Sequence, residues 1–182
     1  MKWTPLILGL ALLATVSAAH ATEEDRWNVM TNPLLLLLGP NVQVDYRLED
    51  HWTVGPQVFY VNRTLGDYDL QAFSAGVNAN YYFATALTHS WFVQGGAGYS
   101  SVHLEGDDSK YGDRLSGSSS GVYAKGVGGY HWFWGDFNLR LGAGVTSHSS
   151  RVVLRDRNGD QAKASSGASL SLAGEASLGW TF

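Results

Sequence analysis

Apolar and polar side chains alternate with a period of two along most of the chain beyond residue 26. In the last stretch Leu170, Leu172, Ala176, Leu178, Trp180 and Phe182 fall on one face, and Ser169, Ser171, Glu175, Ser177 and Thr181 on the other. That period marks a strand with one apolar and one polar side. Upstream, Val42, Val44, Tyr46 and Leu48 alternate with Gln43, Asp45 and Arg47. Trp52, Val54, Val58 and Tyr60 stand against Thr53 and Gln57, with Phe59 and Val61 as apolar exceptions. Phe73, Ala75, Val77, Ala79, Tyr81 and Phe83 alternate with Ser74, Gly76, Asn78 and Asn80; Trp91, Val93, Ala97 and Tyr99 alternate with Gln94, Gly96, Gly98 and Ser100. Residues 122–134 and 137–149 read as a hairpin about Gly135-Asp136, and Asn158-Gly159 is a turn signal before the last strand. Runs of roughly 9 to 11 residues are what a tilted strand needs to cross the hydrocarbon of a bilayer.

The connections at 49–50, 84–90 and 134–136 are shorter than those at 65–69, 105–120 and 153–165, and the two kinds alternate. Outer-membrane barrels have short periplasmic turns, longer external loops and an even strand number. Counting back from a periplasmic C-terminus, the strand at 41–48 descends, so residues 27 to about 34 supply the ascending strand before it. The run Leu34–Leu38 then either extends that strand or lies in the outer interface. The expected fold is all-β, an eight-stranded antiparallel up-and-down transmembrane β-barrel. Alternation alone also permits a soluble sandwich or a lipocalin-like barrel. The tryptophans discriminate: Trp27, Trp52, Trp91, Trp132, Trp134 and Trp180 all fall at periplasmic strand ends, joined by Tyr46, Tyr82 and Phe137. Amphipathic rings collect at membrane interfaces, whereas a soluble sandwich gives no reason for one-ended placement.

Residues 1–21 have one positive residue, Lys2, an apolar run from Leu6 to Val16 and the small-residue end Ala19-His20-Ala21. This is the layout of a cleaved secretory signal peptide, too short to span a bilayer, and leaves 22–182 as one barrel domain. Without Lys2 the chain carries 11 Lys and Arg against 16 Asp and Glu, an acidic balance that argues against a nucleic-acid partner. Cys is absent, so neither disulfides nor a lipid-anchored N-terminus is expected.

A chain closing on Trp180-Thr181-Phe182 with alternating apolar residues behind it resembles the C-terminal sorting signal of Gram-negative outer-membrane barrels, although Ser177 stands where that signal often has Gly. With the signal peptide and the eight-strand pattern, the chain resembles the small eight-stranded outer-membrane proteins, the class of the OmpA transmembrane domain, OmpX and OmpW. The resemblance implies residence in the outer membrane, contact with its lipids and lipopolysaccharide, handling by the barrel assembly machinery and a monomeric state. Members of that class are structural proteins, adhesins, small-solute channels or lipid A-modifying enzymes, so the fold leaves the function open.

An eight-stranded barrel is barely wide enough for its own side chains. The inward faces would supply Asp45, Arg47, Gln57, Asn78, Asn80, Gln94, Lys125, Arg140 and Glu175. Unpaired charges there are costly, so Arg140 and Lys125 are expected to pair with Glu175 and Asp45 and plug the lumen; a conduction path is the alternative. His148-Ser149-Ser150 matches the His-x-Ser letters of outer-membrane lipid A deacylases, with Arg151 where Asn usually follows and Asp156 or Asp160 as the acidic member. A Ser-rich strand end is the plainer reading. The 156–160 run has the letters of a calcium loop, but its Gly is misplaced and no distal Glu follows, so solvated loop charge is expected. His103, Glu105, Asp107 and Asp108 read the same way. No cofactor, metal or catalysis is expected. The expected role is structural or in surface interaction, with a narrow passage for small or apolar solutes and a lipid hydrolase as alternatives.

Overall fold

A computed structural model describes residues 26–108, 113–155 and 161–182; the expected signal peptide lies outside them. The chain forms one closed eight-stranded antiparallel barrel in which every strand pairs with its sequence neighbours and β8 returns to β1. The strands are β1 (Trp27–Thr31), β2 (Asn41–Glu49), β3 (Trp52–Leu65), β4 (Tyr68–Tyr82), β5 (Ser90–Asp108), β6 (Asp113–Trp134), β7 (Phe137–Arg155) and β8 (Gln161–Thr181). A short helix, α1 (Pro33–Leu36), joins β1 to β2. We call the end that carries Arg26 and Phe182 the lower end.

From Met30 the hydrogen-bonded circuit steps through Gln43, Gln57, Gly76, Gly98, Tyr123 and His148 to Ser169, whereas Met30's own partner on β8 is Gly179, ten residues further along. A stagger of that size over eight strands tilts each strand by about 40° from the barrel axis.

The strands differ fourfold in length, and this corrects two expectations. Residues 105–120 and 153–165 read as hydrophilic loops, yet β5 and β6 stay paired as far as Asp108 and Asp113, and β7 and β8 as far as Arg155 and Gln161. The β3–β4 connection shrinks to Gly66-Asp67, where Gly66 has φ +65°, a left-handed conformation that costs glycine little. The lower-end connection 83–89 is longer than Gly66-Asp67 at the upper end. The length difference between the two ends therefore lies in the strands themselves. A strand with water on both faces loses its apolar alternation, which is why Ser- and Gly-rich arms read as loop.

The leucine run is the second correction. Asn32 Oδ1 accepts from the backbone N–H groups of Leu34 (3.0 Å) and Leu35 (3.2 Å), and Pro33 occupies the first helical position. The chain is therefore helical where β1 and β2 stop. β1 pairs with β8 only up to Thr31 and Leu178, so on that side the backbone of 161–177 has no ladder partner among the described residues. Leu34, Leu35, Leu36, Leu37 and Leu38 are all exposed, and Gly39 lets the backbone pass against the Tyr60 carbonyl, with which a Cβ would collide.

Candidate functional site

Inward residues close the lower half of the lumen. Arg140, on β7, is wholly buried and is met by both expected acids: Nη1 lies 3.1 Å from Asp45 Oδ2, and Nε and Nη2 both meet Glu175 Oε1. Its guanidinium also lies 5.2 Å from the centre of the Phe92 ring. Gln43 Nε2 donates to Asp45 Oδ1 (2.9 Å), Gln94 Nε2 to Asn80 Oδ1 (2.8 Å), and Asn80 Nδ2 to Thr53 Oγ1 (2.8 Å). Below them, Asn138 Nδ2 donates to Asn28 Oδ1 (2.8 Å), which turns Asn138 Oδ1 toward His131 Nε2 (2.9 Å). With His131 Nε2 donating, Nδ1 is left to accept from the Tyr82 hydroxyl at 3.1 Å. Tyr82, Ala86, Phe92 and Val127 pack into an apolar cluster in the same space. Taking one charge out of water costs several kcal/mol, so the Arg140 triad holds only because each ion is met by others.

Lys125 departs from its expected role. Its ammonium donates to Gln57 Oε1 at 2.8 Å, and no described carboxylate is in ion-pair contact with it. Lys125 pairs across the sheet with Thr146, six residues up β7 from Arg140. At 3.3 Å per residue and this tilt it stands roughly 10 Å above the triad. Gln57 Oε1 also accepts from Asn78 Nδ2 (2.9 Å), and Gln57 Nε2 donates to the Tyr123 hydroxyl, so Gln57 ties three strands together. Arg47 sits at the lower mouth, 3.1 Å from exposed Asp50. Gly76, Gly96 and Gly98 leave the room in which Asn78, Tyr123 and Lys125 cross the lumen; a Cβ on Gly96 would lie 3.1 Å from Lys125 Cε.

On the outer face, Trp27, Trp52, Trp91, Trp132, Trp134 and Trp180 all stand at the lower end. Trp27 packs on Tyr46 (4.6 Å between centres), Trp52 on Tyr81 (5.1 Å) and Trp91 on Tyr130 (5.2 Å) of neighbouring strands, and Trp132 packs on Tyr130 of its own strand (4.8 Å). Tyr82 does not belong to this ring. It points into the lumen, and its neighbour Tyr81 takes the outer place. Sequence reasoning missed a second outer row. Tyr60, Phe73 and Tyr99 lie on adjacent strands, with Tyr60 opposite Phe73 and Tyr99 opposite Ala75. Each is eight residues from a lower-end aromatic, Trp52, Tyr81 and Trp91 respectively. With 3.3 Å per residue and this tilt, the two rows are about 20 Å apart along the axis. Val54, Val58, Val77, Val93, Leu141, Val145, Leu172 and Leu178 fill the space between them and its continuation around the barrel.

Above the upper row the polarity of the β3–β5 sheet reverses. Its outer face carries Asn62, Thr64, Asp69, Gln71, Ser101, His103 and Glu105. Its inner face carries Val61, Leu70, Ala72, Val102 and Leu104, with Arg63 at the rim, and Tyr68 covers Gly106. Opposite, β6–β8 present Ser119, Gly121, Thr146, His148, Ser150, Ser169 and Ser171 to the interior. The sequence signal for this was Phe59 and Val61, the two residues that broke alternation.

His148 and Ser150 both face the interior, and the His148 ring lies 5.9 Å from that of Tyr123. Their supposed acidic partners and the calcium-like run fall in residues 156–160, outside the described residues, as do the side chains of Asp107 and Asp108. His103 and Glu105 lie on the outer face of β5.

The family described as "Protein of unknown function (DUF3575)" matches residues 7–158, and the chain belongs to it. Neither a curated protein nor a solved structure matches the chain.

Proposed function

For a family that comes without an activity, we propose an integral outer-membrane β-barrel of the small eight-stranded kind, the class of the OmpA transmembrane domain, OmpX and OmpW. On this reading the plugged lumen makes it a structural or surface-interaction protein, exported through a cleaved signal peptide, and no catalytic role is assigned.

The observation that carries the reading is the reversal of polarity at Tyr60, Phe73 and Tyr99. Below that row the sheet is apolar outside and polar inside; above it the β3–β5 wall is polar outside and apolar inside. A barrel in a single solvent needs one arrangement throughout. A barrel that leaves hydrocarbon at that row needs both, and an apolar belt of about 25 Å between aromatic girdles is the dimension of outer-membrane barrels. Helix α1 fits the same reading. Within hydrocarbon backbone polar groups must be satisfied internally, and a capped helical turn with exposed leucines is one way to do so for the segment where β1 and β2 stop.

Membrane fractionation with a heat-modifiability gel tests this. The protein should pellet with membranes and run faster unheated than boiled. Protein that stays soluble after cell breakage without detergent would refute the reading. The passage alternative is tested separately in planar bilayers, where pure protein should give no sustained conductance.

A further inference from the structure

We propose that the upper cup of the barrel binds an anionic single-chain amphiphile that enters sideways, between β8 and the leucine segment. The inference rests on the membrane reading.

Its first support is charge. Above the Arg140 triad, the described inward side chains include Lys125 at the floor and Arg63 at the rim of β3, and no acid. The two acids among the described inward side chains, Asp45 and Glu175, are engaged below by Arg140. Lys125 donates to the neutral amide oxygen of Gln57, so an anionic head would supply a charge that no described side chain supplies there. The Tyr123 and Thr146 hydroxyls flank the same floor. An ammonium and hydroxyls around one point suit a carboxylate or a phosphate monoester.

The second support is the path for a chain. The lumen is closed below by Gln57, Asn78 and Tyr123, so a tail cannot run downward. It can run past Phe59 on β3 toward the wall above Thr31 and Leu178, where β8 has no ladder partner among the described residues. The lips of that gap are apolar: Leu172 is 92% exposed, Leu170 73% and Leu37 70%. Gly167, on the interior face of β8 beside the gap, has open space where its Cβ would be. Exposed leucines thus stand on the outer side of that gap, and the cation stands on its inner side.

The test uses the full mature protein in neutral phosphocholine vesicles, first shown to be inserted by heat modifiability. Binding of hexadecanoate should saturate above protein-free vesicles, and hexadecyltrimethylammonium should bind at least about tenfold more weakly. Lys125→Met should weaken hexadecanoate about tenfold, the size of a lost charge-assisted hydrogen bond, while Lys125→Arg keeps it within a few fold. The comparison of the two probes on unmodified protein stands even if Lys125→Met fails to fold. Inserted protein that binds no hexadecanoate, or binds both probes alike, overturns the proposal and leaves the membrane reading standing. Protein that never inserts overturns both.

Discussion

Strand β4 crosses two regimes. From Tyr81 to Phe73 its outer face is Tyr81, Ala79, Val77, Ala75 and Phe73, over an inner face of Tyr82, Asn80, Asn78, Gly76 and Ser74. Two residues further up, Gln71 and Asp69 are outside and Ala72, Leu70 and Tyr68 inside. No bulge intervenes, because the pairing with β5 runs unbroken from Tyr82–Phe92 to Tyr68–Gly106. The backbone does not change; on the proposed membrane reading, the medium does. Alternation then reports which side of a strand meets water, and a change of medium along one uninterrupted ladder reverses it.

The largest effect should come from breaking the lower regime at its centre. Arg140→Ala leaves Asp45 and Glu175 buried without their cation and should cost about 3 to 5 kcal/mol in urea unfolding from lipid vesicles. Combining it with Asp45→Asn and Glu175→Gln should recover much of that loss, since no buried charge then lacks a partner. An Arg140→Ala change that costs under 1 kcal/mol would mean that water reaches the triad freely, and the plug would have to be given up.

A second pair of substitutions locates the boundary. Val77, 56% exposed on the outer face, is placed in the middle of the belt, and Gln71 lies on the same face six residues higher. Arginine at a lipid-facing midplane position costs about 2 to 4 kcal/mol, whereas above the belt the cost is near zero. Val77→Arg should therefore lower stability in vesicles strongly and Gln71→Arg hardly at all. Equal costs would remove the boundary from the row of Tyr60, Phe73 and Tyr99.

The lower regime was legible in the sequence because two signals agreed there. Six tryptophans fell at one set of strand ends, and Asp45, Arg140 and Glu175 fell at inward parity on runs with clean alternation. The upper regime was not. Where Ser116, Ser118 and Ser120 face water and Ser119 and Gly121 face the cup, both faces are small and hydrophilic, and a period of two leaves no trace. Parity could have corrected Tyr82: the register that puts Tyr81 outside puts Tyr82 inside. The partner of Lys125 was not legible at all, because it depends on the ten-residue stagger, which sets how far up the barrel each strand carries its side chains. Only the closed ladder fixes that number.

The smallest effect is expected where the wall changes from strand to helix, at Asn32. Its side-chain oxygen caps α1 by accepting from Leu34 and Leu35, and its backbone is tied to β2, with N–H donating to Asn41 Oδ1 (2.6 Å) and C=O accepting from Asn41 Nδ2 (3.0 Å). Asn32→Ala removes only the cap, so the loss should be that of an N-cap, about 1 kcal/mol. A single helical turn cannot persist in water without support, because nucleation is unfavourable and only about one bond per further residue offsets it. In hydrocarbon the alternative to the turn is unsatisfied backbone, which is costlier still. The Asn32→Ala penalty should therefore be larger in vesicles than in a loosely packed detergent micelle that lets water reach the gap. The same penalty in both would mean that the leucine segment is not lipid-facing, and that the shortness of β1 and β2 leaves an opening to water rather than a wall to lipid.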